Sequence, residues 1–422
     1  MYNKTKLPNG LTVASYEMPS RVSAALGIWV RVGSRYESKP LNGVSHFLEH
    51  LLFKGTAKRN CEQIKQAIEG IGGSLNGFTS EELTCYLAKV PSRHLGSALE
   101  VLADMVLNAR LDTKDIELER KVILEEIRMY KDLPGHYVLD LLAGLLWPSQ
   151  PLGRNIAGEC DTISKISAAQ LHDYKQRFYQ SGNIFVVSCG NLKQAQVLAQ
   201  CNKHFAQKDK RNPESFLAVR QKQAQARLKI HTKNTEQTHL ALGLYGLARG
   251  DRDRFALGLL HIILGANMSS RLFREVREVR GLAYSIGTSL KLLQDTGAFI
   301  VHAGIDNKRV LEALEVILAE LRKIKKENIE KEELDRAKEY YMGQVMLALE
   351  DTSEHMLWLG ENLISLNKFL YLQEVIRQVK KIQACDLTRL ANQILQNRSL
   401  NLAIIGPLKE NMESKIKQRL AL

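Results

Sequence analysis

The sequence lacks the features typical of membrane proteins and of disulfide-rich secreted proteins. No apolar run reaches the roughly 20 residues of a spanning helix. The stretch from Leu139 to Trp147 is shorter and contains Asp140. The six cysteines are scattered without a Cys-x-x-Cys pair, which predicts reduced, mostly buried thiols in a cytoplasmic protein. The first six residues lead straight into a predicted strand without a signal-peptide pattern, so no signal peptide is expected.

The sequence also lacks a basic motif interleaved with aromatic residues, although its formal net charge is +13. Lysines alternate with acidic residues, as they do between Lys323 and Glu333, and this pattern is typical of a solvated helix face. Neither nucleic acid nor a membrane is therefore predicted as a partner. The excess positive charge has no assigned role.

The most informative segment is His46-Phe47-Leu48-Glu49-His50, which lies in a predicted helix with Asn42 as candidate N-cap and an end at Gly55. Histidines at i and i+4 share one helix face, so both imidazoles can reach one metal ion. Glu49 lies beside them as a candidate general base. The order His-x-x-Glu-His is the inverzincin pattern. The alternative is two solvated histidines on an amphipathic helix.

A second predicted helix, from Asp112 or Thr113 to about Lys131, offers further carboxylates. Glu119 and Glu126 fall within about 20° of each other on the helical wheel. They lie on a predicted apolar face that comprises Ile116, Val122, Ile123, Met129 and Tyr130. A carboxylate on such a face is costly unless it is paired or binds a cation. The alternatives are a glutamate that extends from the core rim or a buried ion pair.

These residues resemble the pitrilysin family of zinc peptidases, which includes insulin-degrading enzyme and the mitochondrial processing peptidase. The chain is most similar to the short bacterial, processing-peptidase-like members. The family pattern continues with a glutamate 76 positions after the second histidine, which is Glu126 here. The resemblance to the family extends along nearly the whole chain. The segments that carry it are Leu7–Leu11, Glu119–Glu126, Pro151–Arg154, Gly158, Ser270–Phe273 and Gly281–Tyr284.

The resemblance implies one Zn²⁺ per chain with His46, His50 and Glu126 as ligands. It also implies that Glu119 supports the site, by orienting a histidine or by balancing charge, and that Glu49 acts as the general base.

The two halves of the sequence resemble each other. Ala98–Leu102 recurs as Ala313–Ile317, and Glu117–Arg120 recurs as Glu333–Arg336. We predict an α+β fold of two homologous, internally duplicated domains, each a mainly antiparallel sheet covered by helices. The predicted domains are residues 1–210 and 225–422, joined by a polar linker at about 207–225. Met342 stands where Glu126 would recur, so the second domain lacks the metal set.

Substrate-binding residues are expected in both halves. By resemblance, Arg277 and Tyr284 of the second domain bind the substrate and assist catalysis, since such donors can stabilise a developing oxyanion. The alternatives are a surface arginine and a core tyrosine. In the predicted strand Gly72–Thr79, the resemblance points to Asn76 and Gly77 at an edge that a peptide extends. The alternative for this glycine-containing strand is a bulge at a sheet edge.

The sequence therefore predicts a zinc-dependent endopeptidase of short or unfolded peptides. The resemblance further implies that the chain is half of a clam-shell, and that a homodimer encloses a chamber with an active site shared between chains. The alternative is a non-catalytic scaffold or partner subunit of a processing-peptidase-like complex. A peptidase that needs a different partner chain is a second alternative.

Overall fold

The computed structural model describes residues 2–205, 214–409 and 411–422, and these form two units, each built on one sheet. The first unit contains Met1–Arg128, Arg154–Leu217 and Leu347–Phe369. The second contains Met129–Gly153, Ala218–Met346 and Leu370–Leu422. Each unit thus includes a segment from the other half of the sequence, which differs from the contiguous domains 1–210 and 225–422 expected from the repeat.

The first sheet has six strands in the order β1-β2-β6-β3-β5-β4. Its strands are β1 (Tyr2–Lys6), β2 (Thr12–Glu17), β3 (Ser23–Val30), β4 (Ser74–Thr79), β5 (Thr84–Pro91) and β6 (Ile184–Gly190). Only β2 and β6 pair in parallel, so the sheet is mainly antiparallel as predicted. Strand β4 lies at one edge, with β5 as its neighbour in the sheet.

The second sheet has the order β7-β11-β8-β10-β9. Its strands are β7 (Arg227–Thr232), β8 (Gln237–Gly246), β9 (Ala283–Leu292), β10 (Gly297–Asp306) and β11 (Asn401–Gly406). The order matches that of the first sheet from β2 to β4, and in both sheets the first pair of this series is parallel. The predicted duplication and the α+β class are therefore confirmed.

Fifteen α-helices cover the sheets in the described part of the chain. They are α1 (Val44–Leu52), α2 (Cys61–Glu69), α3 (Leu95–Asn108), α4 (Thr113–Asp132), α5 (Pro134–Leu146), α6 (Cys160–Lys165), α7 (Ala168–Phe178), α8 (Gln194–His204), α9 (Arg254–His261), α10 (Val310–Lys326), α11 (Lys331–Ala348), α12 (Thr352–Leu366), α13 (Leu372–Lys381), α14 (Ala384–Ile394) and α15 (Asn411–Arg419). None of the described helices is long and apolar enough to cross a membrane.

One face of each sheet is covered by a helix from the other half of the sequence. Helix α12 packs on β3 and β6 of the first sheet through Met356, Leu359 and Leu363. Helix α5 packs on β8 and β11 of the second sheet through Val138 and Leu142. The sequence repeat did not reveal this exchange. Each helix lies within one half of the sequence but packs on the sheet of the unit that is formed mainly by the other half.

The predicted linker is described only in part, since residues 207–213 lie outside the described residues. From Glu214 the chain continues without helix or strand to β7. The Phe216 ring stacks on the buried Arg35 guanidinium, 3.6 Å from the ring centroid, and Leu217 accepts a hydrogen bond from the same guanidinium. This part of the linker is therefore attached to the first unit by specific contacts.

Candidate metal centre

Helix α1 carries the two histidines, and a buried carboxylate fixes its first turn. The Glu37 carboxylate accepts hydrogen bonds from the backbone N–H groups of Gly43 and Ser45, at 2.7 and 2.9 Å. Asn42 was the predicted N-cap, but Gly43 occupies that position with φ +96°, and Asn42 donates its side-chain amide to Glu37 instead. The N-cap prediction was wrong because the acceptor comes from a residue several positions earlier.

Helices α1 and α4 bring His46, His50 and Glu126 together. The Nε2 atom of His46 lies 3.7 Å from one Glu126 oxygen, and Nε2 of His50 lies 3.5 Å from the other. Within the described residues, this is the only group of three His, Cys, Asp or Glu side chains whose ligand atoms all lie within 4.8 Å of one another. All three side chains are partly exposed, so the group is accessible.

The donor set and its spacing fit a zinc ion. Atoms that each lie about 2.0–2.1 Å from a tetrahedral zinc ion are roughly 3.4 Å from one another. The separations of 3.5 and 3.7 Å are close to that value. Two imidazole nitrogens and one carboxylate match a catalytic site with three protein ligands and a fourth position for water.

The electrostatics of the metal-free protein show how the two histidines differ. Burial and the neighbouring His50 lower the pKa of His46 to about 4. Burial alone would lower the pKa of His50, but its hydrogen bonds to Glu119 and Glu126 outweigh burial and raise it to about 9. Without a metal, the positive charge between the carboxylates is therefore held by His50.

Glu119 contacts His50 at the ring nitrogen that faces away from Glu126, and it is almost fully buried. One of its oxygens accepts a hydrogen bond from Nδ1 of His50 at 3.1 Å, and the other lies 2.6 Å from Nζ of Lys54. Burial opposes ionisation of Glu119, but these two partners lower its pKa below the ordinary value. The structure thus places Glu119 beside a candidate ligand, and it adds Lys54, which sequence reasoning missed.

Glu49 lies beside the three candidate ligands but is not one of that group. Burial raises the pKa of Glu49, although a hydrogen bond of 2.9 Å from the Thr79 hydroxyl opposes this effect. Thr79 ends β4, so the strand edge and the candidate base are in direct contact. Thr79 was also missed, although it closes a strand that the sequence had already singled out.

Only part of the predicted apolar face of α4 is buried. Ile116, Ile123 and Glu119 are buried, whereas Val122 and Met129 are 44% and 50% exposed. The helix packs against the core only along a strip on the side of the two isoleucines. One face of a helix is enough for such packing, so the remaining apolar residues stay exposed. Glu126 lies at the border between the buried strip and the exposed apolar residues, where it remains accessible.

Strand β4 is an edge strand, as the resemblance implied for the substrate strand. Asn76 is exposed, and its side-chain oxygen accepts a hydrogen bond from the Gly77 backbone N–H. A Cβ atom on Gly77 would lie 3.0 Å from the Phe53 ring. The glycine thus permits close packing of Phe53, which directly follows α1, against β4, and no bulge interrupts the β4–β5 register.

Arg277 and Tyr284 lie together in the second unit. The Arg277 guanidinium lies 5.2 Å from the centroid of the Tyr284 ring, and Tyr284 is 73% exposed. Arg277 belongs to a π-helical segment, Phe273–Glu278, and Tyr284 belongs to β9 after Gly281, whose φ is +56°. The alternative of a core tyrosine is therefore wrong.

Comparison with known proteins identifies the family. Residues 12–159 match the family model described as Insulinase (Peptidase family M16), and residues 165–341 match the model described as Peptidase M16 inactive domain. The chain belongs to peptidase family M16. The predicted resemblance to the pitrilysin family is confirmed. Most of the residues matched by the M16 model with the "inactive" description lie in the half in which no metal set was predicted.

Several curated relatives within family M16 carry the name "uncharacterized zinc protease". The relative from Streptomyces coelicolor is 37% identical, with 99% of this chain and 92% of the relative covered. The relative from Bacillus subtilis is 34% identical, with 96% and 98% covered. Since nearly the full length is covered on both sides, the short bacterial subfamily is also confirmed.

Solved structures agree with the fold. The crystal structure of a protease from Helicobacter pylori has a TM-score of 0.92 at 26% identity, covering 96% of this chain and 99% of the other. A Pseudomonas fluorescens structure described as a peptidase M16 inactive domain has a TM-score of 0.90 at 21% identity, covering 97% and 98%. The second likeness supports the fold alone.

Proposed function

We propose that this protein is a zinc-dependent endopeptidase that hydrolyses short or unfolded peptides. The observation that carries the proposal is the convergence of His46, His50 and Glu126, with the Glu49 carboxylate beside them and outside the ligand group. These three side chains would hold one Zn²⁺ per chain. Bound zinc supplies Lewis-acid chemistry, which lowers the pKa of water to about 7 and polarises the peptide carbonyl.

Glu49 acts as the general base in this proposal. It takes a proton from the attacking water and delivers it to the leaving amine. Its burial raises its pKa, which makes the carboxylate a stronger proton acceptor. Thr79 fixes the orientation of the carboxylate by donating to one of its oxygens.

The substrate binds as an additional strand on β4. An edge strand offers unpaired backbone groups, and an extended peptide can hydrogen-bond to them. The contact between Thr79 and Glu49 supports this mode, because a peptide that follows β4 to its end reaches the candidate base. Asn76 and Gly77 lie on this path, and the exposed Asn76 amide provides polar contacts to the peptide backbone.

Arg277 and Tyr284 complete the proposal as substrate-binding donors. Their proximity and the exposure of Tyr284 support a shared role at a surface. In the proposed homodimer, these residues of one chain would act at the metal centre of the partner chain. The cytoplasmic location remains a prediction from cysteine usage.

The test is cleavage of an unstructured quenched-fluorescent peptide library by the zinc-loaded protein and by Glu49→Gln, with zinc content measured on both. We expect wild type to cleave, and Glu49→Gln to retain zinc while losing about 10²–10⁴-fold in rate. If both proteins hold zinc and neither cleaves, the proposal is wrong, and the scaffold or missing-partner interpretation replaces it.

A second test addresses the shared site. Inactive Glu49→Gln chains are mixed with inactive Arg277→Ala chains under conditions that allow subunit exchange, which is monitored with fluorescently labelled chains. If the site is shared between chains, the mixture regains activity. Absence of recovery despite demonstrated exchange would contradict the composite dimer and leave the zinc-peptidase proposal intact.

A further inference from the structure

The Glu119 carboxylate bridges a cation and a candidate metal ligand. Nζ of Lys54 lies 2.6 Å from one oxygen, and Nδ1 of His50 lies 3.1 Å from the other. The Glu119 side chain is 3% exposed, whereas that of Lys54 is 28% exposed. Each oxygen of the buried carboxylate is therefore assigned to a different donor.

The short contact to Lys54 limits how the carboxylate can turn. Charge-assisted hydrogen bonds are shorter and roughly twice as strong as neutral ones, so the ammonium holds its oxygen firmly. The second oxygen is then directed at Nδ1 of His50, which turns Nε2 of the same ring towards Glu126. A metal-bound histidine is usually oriented in this way through its other ring nitrogen.

The two histidines do not share this support equally. Within the described residues, the Nδ1 atom of His46 is buried and has no hydrogen-bond partner. The orientation of the histidine pair by a carboxylate therefore depends on the His50 side, where Lys54 and Glu119 lie.

The second unit offers an internal comparison. The segment Leu52-Phe53-Lys54-Gly55-Thr56 aligns with Ile262-Ile263-Leu264-Gly265-Ala266 at an offset of 210 residues. At that offset Leu260 replaces His50 and Leu264 replaces Lys54, and both leucines are fully buried. The cation is thus absent from the unit that lacks the histidine.

We propose that Lys54 is a positioning residue of the metal centre. It holds Glu119 in the orientation that accepts the Nδ1 hydrogen of His50, and it thereby keeps Nε2 aimed at the metal position. The proposal rests on the proposed zinc binding and adds a residue that acts through Glu119 without touching metal or substrate.

The test measures zinc dissociation constants by competition with a chelator for wild type, Lys54→Met, Lys54→Arg, Glu119→Gln and the double variant Lys54→Met/Glu119→Gln. We expect Lys54→Met to weaken zinc binding about 10–100-fold, the range for loss of an outer partner of a metal ligand. Lys54→Arg should restore most of the affinity. Lys65→Met, which removes an exposed lysine of α2, is the matched control and should bind as wild type does.

The double variant decides whether Lys54 acts through Glu119. We expect it to bind zinc as weakly as Glu119→Gln alone, because Lys54 then has no carboxylate to position. An additional loss in the double variant, or an affinity of Lys54→Met within threefold of wild type, would overturn the proposal. Thermal unfolding of the metal-free proteins identifies a variant that fails to fold, and Lys54→Gln then replaces Lys54→Met. If wild type itself binds no zinc, the proposed function fails and the Lys54 proposal falls with it, whereas a wild type that binds zinc beside an unaffected Lys54→Met removes the Lys54 proposal alone.

Discussion

The two units share a sheet topology but differ in the residues at corresponding positions. At the offset of 210 residues, Ala256, Leu259 and Leu260 of α9 stand where His46, Glu49 and His50 stand in α1. At the offset of 216 residues, Met342 of α11 stands where Glu126 stands in α4. All four residues of the second unit are buried. The same scaffold therefore holds a polar cluster in one copy and an apolar core in the other.

This difference shows that the fold does not require the metal group. In the second unit the corresponding helices are held by ordinary apolar packing, which stabilises by burial of apolar surface. In the first unit two histidines and two glutamates, Glu49 and Glu126, replace part of that packing, whereas the third glutamate, Glu119, corresponds to the exposed Asp335. Such a cluster is costly without a compensating cation, so its presence in only one copy indicates function and not folding.

The largest effect on zinc binding is expected for Glu126→Met, which gives the first unit the residue that the second unit has at the corresponding position. A thioether is a poor substitute for a carboxylate in a zinc site. We expect zinc affinity to fall by more than the roughly 10–100-fold that outer partners contribute, with peptide cleavage lost at the same time. Glu125→Met is the matched control, because Glu125 is exposed and pairs with Arg128. Equal zinc content in the two variants would contradict the ligand assignment.

The reverse exchange, Met342→Glu, is expected to destabilise the second unit. The new carboxylate would be buried, and the corresponding histidine positions hold Ala256 and Leu260. We expect a loss of about 3–5 kcal/mol in the free energy of unfolding, as for other uncompensated buried charges. Met342→Leu conserves the volume and should cost less than about 1.5 kcal/mol. Urea unfolding tests this, and similar midpoints for the two variants would show that the second unit tolerates the charge.

The sequence predicted the parts of this comparison that depend on spacing along one helix. The pair His46 and His50 follows from the helical repeat, and Glu119 and Glu126 share one side of α4 for the same reason. Individual strands also carry a local signal, because apolar and other residues alternate in the sequences of β2 and β8. In each case the pattern lies within one element and needs no tertiary information.

The remaining features depend on contacts between distant segments. Thr79 approaches Glu49 because β4 packs beside α1, and Glu37 caps α1 from the preceding loop. The exchanged helices α5 and α12 could not be assigned, since an apolar helix face does not reveal which sheet it covers. Lys54 alone had a local signal, because it lies four residues after His50, just beyond the end of α1.

A pH series sharpens the contrast between His50 and Leu260, its counterpart that does not titrate. The pKa of His50 in the metal-free protein is raised to about 9, so at neutral pH zinc must displace one proton from this ring. We expect the apparent zinc affinity to rise about tenfold per pH unit from pH 6 to 8 and to level off above about pH 9. Calorimetry in buffers of different ionisation enthalpy measures the released proton.

The same pKa shift predicts a pH effect on metal-free stability. Because the folded-state pKa of His50 exceeds its unfolded value, its contribution is fully present below about pH 6.5 and is lost as the pH rises towards 9. Glu119→Gln removes one cause of the raised pKa, so both pH effects should move to lower pH in that variant. If zinc binding to wild type at pH 7 released almost no proton, the raised pKa of His50, on which both pH predictions depend, would be contradicted.

The smallest effect concerns the contact between strand and base, which the second unit lacks because Leu259 stands in place of Glu49. Thr79→Val removes the hydroxyl that donates to Glu49 while keeping a β-branched side chain suited to β4. We expect kcat/KM to fall about tenfold, equivalent to about 1.4 kcal/mol, with zinc affinity unchanged. Thr79→Ser keeps the hydroxyl and should retain most of the activity. If the serine and valine variants lose activity equally, the methyl contact of Thr79 matters more than its hydrogen bond, and the orientation of Glu49 then depends on packing against β4.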